Sequence, residues 1–114
     1  WEENFIQLTN SGKEMVSPEY VIKGKTIGWY FTSNSCKPCR TFVKQLEATR
    51  DACKAAGKPF EVVVVSQDYE LKGFDEYMSH SKFHAILFDE KELRKKMKDQ
   101  WFVKSWPWVV ITDD

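Results

Sequence analysis

The stretch from Gly24 to Glu47 reads "GKTIGWYFTSNSCKPCRTFVKQLE", and its reading decides the fold. The run "TIGWYFTS" is unbroken, β-branched and aromatic, and of strand length, which predicts a central strand covered on both faces. After the "NSCKPC" turn, Phe42, Leu46, Thr49 and Cys53 recur at spacings of four, three and four. That spacing predicts a helix that turns those four side chains toward the core. Cys36 and Cys39, two of the three cysteines, therefore fall directly after a strand and at the opening of a helix. A metal clamp, a structural staple and a redox pair are the three readings of such a pair.

Working outward, Gly57 ends the helix after Ala55 and Ala56, and Pro59 prevents its continuation. "FEVVVVS" is then a second buried strand. Toward the N-terminus, "FIQL" and "MV" are short apolar segments around the turn "TNSGKE", where Gly12 takes a positive φ cheaply. "SPEYVIKGK" predicts a short helical turn, with Ser17 as N-cap, Pro18 at the first helical position and Gly24 as the stop. Toward the C-terminus, "QDYELKGFDEYMSHSK" predicts one short amphipathic helix carrying Phe74, Tyr77 and Met78. "FHAILF" fits either a strand or a loop. "DEKELRKKMKDQW" has its acids first and its bases last, which suits the helix dipole, and Leu93 and Met97 give it a narrow apolar stripe. It is expected on the surface. "PWVVIT" opens at a proline, which the first position of a strand tolerates. Buried strands alternating with helices predict one α/β layered domain over residues 1–114, with helices on both faces.

Composition narrows the function. Seventeen basic and seventeen acidic residues cancel in 114, so no overall field favours nucleic acid or an anionic membrane. No apolar run approaches the ~20 residues that cross a bilayer, and the N-terminus lacks the basic-then-apolar layout of a secretory signal. Three cysteines are too few for a secreted disulfide framework, so a reducing compartment is expected, cytoplasmic or nuclear. The sequence begins at Trp1 without methionine, and preceding residues are expected to have been removed.

The position of the cysteine pair has chemical consequences. Free N–H groups and the dipole at a helix start favour a thiolate, and Lys37 and Arg40 add positive charge. One cysteine should therefore titrate below its free value of ~8.5. A two-residue spacer lets the second sulfur close a disulfide with the first, and Pro38 stiffens the turn without losing a needed N–H. Zinc is disfavoured, because its remaining ligands would have to come from Cys53, His80 and His84, with no second pair at ligand spacing. Cys53 is expected to be an inert core residue, ~21 Å along the helix from Cys39 at ~1.5 Å per residue. His80 and His84 flank a loop and read as solvated or locally hydrogen-bonded. "RKKMKD" reads as a solvated helix face once the preceding "DEKE" is counted. Trp29, Trp101 and Trp108 read as core or partly buried packing.

Strand, C-x-P-C, helix, strand and a later X-Pro opening a strand together resemble the thioredoxin fold. The sequence is most similar to its tryparedoxin and nucleoredoxin branch. "FEVVVVSQD" resembles that branch's "FEVVFISWDE", and "KMKDQWFVKSWPWVVI" resembles its close. Tyr30 stands where the branch carries tyrosine and thioredoxins proper carry a buried aspartate.

The resemblance implies a central mixed β-sheet flanked by helices, with Cys36 as nucleophile, Cys39 as resolving thiol and Pro107 as a cis-proline facing them. Trp106 would line the substrate groove beside Pro107, and Asp68 would be a proton acceptor near the site. It implies a thiol–disulfide oxidoreductase that needs neither metal nor organic cofactor. The implied partners are disulfide-containing proteins and an upstream dithiol donor or reductase, served by a monomer. Ser35 departs from the tryptophan of the family and Gln67 from the tryptophan of its "WD" pair, while Trp106 exceeds the usual aliphatic residue. Those departures raise a second reading, a redox-regulated binding module that holds one partner. Family members continue into another strand and a C-terminal helix. With the sequence stopping at Asp114, the expectation is that the domain has been trimmed, that a further segment is missing, or that a sheet edge is left open to association.

Overall fold

The computed structural model describes Leu8–Thr9 and residues 14–113; the turn around Gly12 lies outside the described residues. Strand β1 (Leu8–Thr9) pairs antiparallel with β2 (Met15–Val16), and α1 (Pro18–Ile22) leads into β3 (Thr26–Thr32). Then follow α2 (Lys37–Ala55), β4 (Phe60–Ser66), α3 (Leu71–His80), β5 (His84–Ile86), α4 (Lys91–Gln100) and β6 (Trp108–Thr112). The sheet order is β2-β1-β5-β4-β3-β6. Strands β3, β4 and β5 run parallel, while β6 and β1 pair antiparallel with β3 and β5. Parallel neighbours need a crossover, which α2 and α3 provide.

Period-two alternation along the central strands splits the core into two layers. Ile27, Trp29, Phe31, Val63 and Val65 face one way and pack with Val21 of α1 and Met97 of α4. Tyr30, Val62 and Val64 face the other way and pack with Leu46 of α2 and with Phe74 and Met78 of α3. Helices therefore cover both faces, as the continuous apolar runs predict.

The structure also departs from the sequence reading. "FHAILF" resolves into the short strand β5 followed by a turn. Of the four residues expected on the inner face of α2, only Leu46 is buried, whereas Phe42 and Cys53 are half-buried and Thr49 is exposed. Cys39 and Leu46 are the buried residues of α2, and from its C-terminal half Arg50 bonds the Lys82 carbonyl at 2.9 Å and Lys54 pairs with Glu61 of β4 at 3.3 Å. Ser17 occupies the N-cap of α1, but its side chain makes no capping bond. Trp108, expected in packing, is 36% exposed, because β6 is an edge strand and pairs only with β3 among the described residues.

Helix α4 ends in a Schellman motif: Val103 N–H donates to Lys98 O at 2.9 Å and Phe102 N–H to Asp99 O at 3.3 Å. The left-handed position that normally takes glycine is held by Phe102, with φ 55° and 76% exposure. An L side chain there costs about 1–2 kcal/mol, partly offset by the larger unfolded-state freedom of glycine. Phe102→Gly should raise the thermal midpoint by a few degrees, for a gain of about 0.5–1 kcal/mol. A lowered midpoint on a melting curve would show that the phenyl ring contributes more than the backbone loses.

Candidate active site

Strand β3 ends at Thr32 and the chain turns through Ser33, Asn34 and Ser35 before α2 begins at Lys37. Cys36 takes the N-cap position of α2, with extended backbone, and its Sγ accepts the N–H of Cys39 at 3.3 Å. Sulfur thus fills the role that a serine or aspartate oxygen usually plays at a helix start. Cys36 and Cys39 are joined as a disulfide, with Cα atoms 5.3 Å apart. Their exposures differ sharply, since Cys36 is half-buried and Cys39 retains 2% of its surface.

The β3–β6 register pairs Phe31 with Trp108, which brings the residue before β6 to the end of β3 where the cysteine turn starts. That residue is Pro107, joined to Trp106 by a cis peptide. The Trp106 carbonyl oxygen lies 3.7 Å from Cys36 Sγ. Trp106 itself is half-buried, with Lys98 Nζ 5.7 Å from its ring centroid, a cation–π contact.

Asp68, expected as a proton acceptor near the site, lies beside the turn that carries Cys36. Its Oδ1 accepts the Asn34 N–H at 2.8 Å and its Oδ2 accepts the Ser66 hydroxyl at 2.8 Å. Gly73 leaves room for the carboxylate, as a Cβ there would sit 3.0 Å from Oδ1. Asp68 is therefore a brace between the end of β4 and the turn that carries Cys36. Lys37 and Arg40 are exposed on the first turn of α2, and Arg40 reaches back to the Asn34 carbonyl at 3.4 Å. Ser35 is exposed with its hydroxyl 3.3 Å from that of Ser33. Gln67 donates to the Val65 carbonyl at 3.2 Å.

Arg94, which the sequence places on a solvated helix face, turns inward instead. Its guanidinium donates to Ser66 O at 2.7 Å and to Phe88 O at 2.8 Å, and it stacks on the Phe88 ring at 4.4 Å. Burial lowers its pKa while the charge of Asp68 raises it. The only sequence signal was a single arginine, whose planar fork can bond two carbonyls, among four lysines of α4.

A cleft of about 350 Å³ opens between α2 and α3 and reaches Cys39, with Ser33, Val43, Glu47 and Tyr77 among its walls. The Tyr77 and Thr32 hydroxyls are both buried. Tyr30 donates its hydroxyl to the Cys39 carbonyl at 3.3 Å. Burial raises the pKa of both tyrosines, Tyr30 and the charges of Glu47 and Asp68 add to the rise at Tyr77, and a side-chain hydrogen bond with Thr32 opposes it at both.

Cys53, His80 and His84 do not join this site. Cys53 is a half-buried free thiol near the far end of α2, and His80 is exposed at the end of α3. His84, expected to flank a loop, lies within β5 with its Nε2 3.9 Å from Glu61 Oε2. Burial lowers its pKa below the ordinary 6.5, Glu61 opposes this, and Lys25, Lys54 and Arg50 add to the lowering. The folded state thus binds this proton less readily than the unfolded chain. His84 should destabilise the protein as pH falls from about 6.5 through the folded value. His84→Gln should flatten that part of a stability profile, and an unchanged slope would assign the loss to other groups. Among the described residues, no cluster of three or more His, Cys, Asp or Glu could hold a metal ion. No helix there is long and apolar enough to cross a membrane.

A thioredoxin-like family model matches residues 24–114. Nucleoredoxin of Mus musculus is 26% identical over 106 residues, which is 93% of this chain and 24% of the mouse protein. Probable nucleoredoxin 1 of Arabidopsis thaliana is 34% identical over 108 residues, covering 94% of this chain and 18% of that protein. The chain therefore spans about a quarter or less of these curated relatives. Among solved structures, native tryparedoxin I from Crithidia fasciculata superposes with a TM-score of 0.86 at 29% identity, over 96% of this chain and 74% of that one. Tryparedoxin II from C. fasciculata gives 0.87 at 26% identity, over 97% and 75%.

Proposed function

Because the chain belongs to the thioredoxin-like family, within its tryparedoxin and nucleoredoxin branch, we infer that it is a thiol–disulfide oxidoreductase that reduces or exchanges protein disulfides. One observation carries the reading: a half-exposed sulfur at a helix N-cap lies beside the Trp106 carbonyl, with a buried second sulfur bonded behind it. In the reduced protein, the Cys36 thiolate attacks a partner disulfide and forms a mixed disulfide. Cys39 then attacks Cys36 and releases the reduced partner. The helix start and the neighbouring cations Lys37 and Arg40 favour the thiolate. An upstream dithiol or reductase returns the Cys36–Cys39 bond to the dithiol form, and a reducing compartment, cytoplasmic or nuclear, suits that cycle.

The test is insulin reduction driven by dithiothreitol. The protein should accelerate precipitation of the insulin chains severalfold or more, and no acceleration over background would overturn the enzyme reading. The exposed Ser35, where the family has tryptophan, and Trp106 under Lys98 favour one alternative. In it, the same groove holds a single partner without turnover and releases it on oxidation.

A further inference from the structure

The resolving step requires a proton to leave a buried atom. Cys39 keeps 2% of its surface, and a neutral thiol is a poor nucleophile, so its proton must depart as it attacks. Tyr30 and Tyr77 lie near it, but burial holds both phenols protonated, so neither is a base at neutral pH. Asp68, which accepts from Asn34 and Ser66, is not among the residues that line the cleft reaching Cys39. Arg40 has no lone pair to accept a proton.

The cleft between α2 and α3 offers a way out. Cys39, Val43 and Glu47 follow one another along its α2 wall at four-residue steps, with Glu76, Tyr77 and His80 on the α3 wall. At about 30 Å³ per water, its volume of about 350 Å³ admits roughly ten molecules. Glu76 and His80 are exposed, whereas Glu47 is half-buried and near enough for its charge to act on Tyr77.

We propose that this cleft is the proton route of Cys39, with the Glu47 carboxylate as the receiving base through water. The proposal rests on the dithiol reading above. In the mixed disulfide, the Cys39 thiol gives its proton to cleft water and thence to Glu47, and its electron pair forms the Cys39–Cys36 bond. The bond between Cys36 and the partner breaks, and that pair leaves on the partner's sulfur, which is protonated from solvent. Two electrons pass from the dithiol to the partner disulfide. In the reverse direction, Cys39 departs as thiolate and recovers its proton by the same path.

The two half-reactions can be timed separately with the chromogenic disulfide dithionitrobenzoate, mixed with reduced protein in a Cys53→Ala background. The first release of coloured thiolate reports attack by Cys36, and the second reports attack by Cys39. Glu47→Gln should slow the second phase about tenfold near neutral pH, modest for general base catalysis because solvent can substitute. The deficit should shrink as pH rises, the first phase should keep its rate, and Glu47→Asp should restore most of the second. An unchanged second phase in Glu47→Gln, or equal slowing of both phases, would overturn the proposal. Absence of any second phase with Glu47 intact would instead overturn the dithiol reading beneath it.

Discussion

Cys36→Ser should abolish disulfide reduction, a loss on the order of a thousandfold or more, while Cys39→Ser should preserve the first attack and stall the second. The asymmetry follows from burial. A partner disulfide can reach the half-exposed sulfur of Cys36, and an in-line approach passes the Trp106 carbonyl 3.7 Å away. Cys39, at 2% exposure, meets only a sulfur already delivered to it. A serine hydroxyl at position 36 can still cap α2 by accepting the Cys39 N–H, so the fold should survive and the loss is chemical. Insulin precipitation reads the first variant. Non-reducing gels and mass spectrometry read the second, which should accumulate mixed disulfides that dithiothreitol dissolves. Residual turnover in Cys36→Ser would move the nucleophile to Cys39, against its burial. A Cys39→Ser protein that retained one partner without covalent linkage would favour the binding module.

The cysteine site was legible because local rules and tertiary structure agree there. An unbroken β-branched run must be covered on both faces, a turn must follow it, and a helix start must meet the sulfur. Strands β3 and β4 and helix α2 could all be read on that basis. Where the outcome depends on what lies across the sheet, sequence falls short. Thr49 and Cys53 have the inward period, yet Thr49 is exposed and Cys53 only half-buried. Trp108 has the character of a core residue, yet it sits on an edge strand. His84 lies in β5, a strand of three residues, too short for alternation to separate from a loop. The braces made by Asp68 and Arg94 join groups 34 and 28 residues apart in sequence, and nothing local foretells such contacts. Phe102 illustrates the same limit from the other side, since a helix stop normally announces itself by glycine.

Trp29→Ala should destabilise the protein by about 3–5 kcal/mol, the range for emptying a buried large aromatic site. Against a total stability of about 5–15 kcal/mol, that is a large fraction, and the thermal midpoint should fall by roughly 10–25 °C. Trp29 has no exposed surface and packs against Trp101 with ring centroids 6.0 Å apart, while Phe31 meets the same indole edge-on at 6.2 Å. Removing the ring would leave a void under α4 that two flanking aromatics cannot close without shifting. The Trp29 indole N–H also donates to the Thr112 hydroxyl at 2.8 Å, so the side chain ties β3 to the edge strand beyond the ladder itself. Trp29→Phe separates the two contributions: it retains most of the packing and should cost less than the alanine variant, with about 1 kcal/mol assigned to the lost hydrogen bond. Trp108→Ala, on the same edge strand but 36% exposed, should cost well under half as much as Trp29→Ala. Chemical denaturation with a constant slope would check all three, and comparable losses at positions 29 and 108 would contradict the burial difference. The loss at Trp29 should also reach the chemistry. Strand β6 begins at Trp108, directly after the cis-peptide that sets the Trp106 carbonyl against Cys36. A loosened β6 should therefore slow attack by Cys36 below the unfolding transition, where the protein is still folded, because the groove wall that aligns the partner disulfide is the part of the sheet held by Trp29.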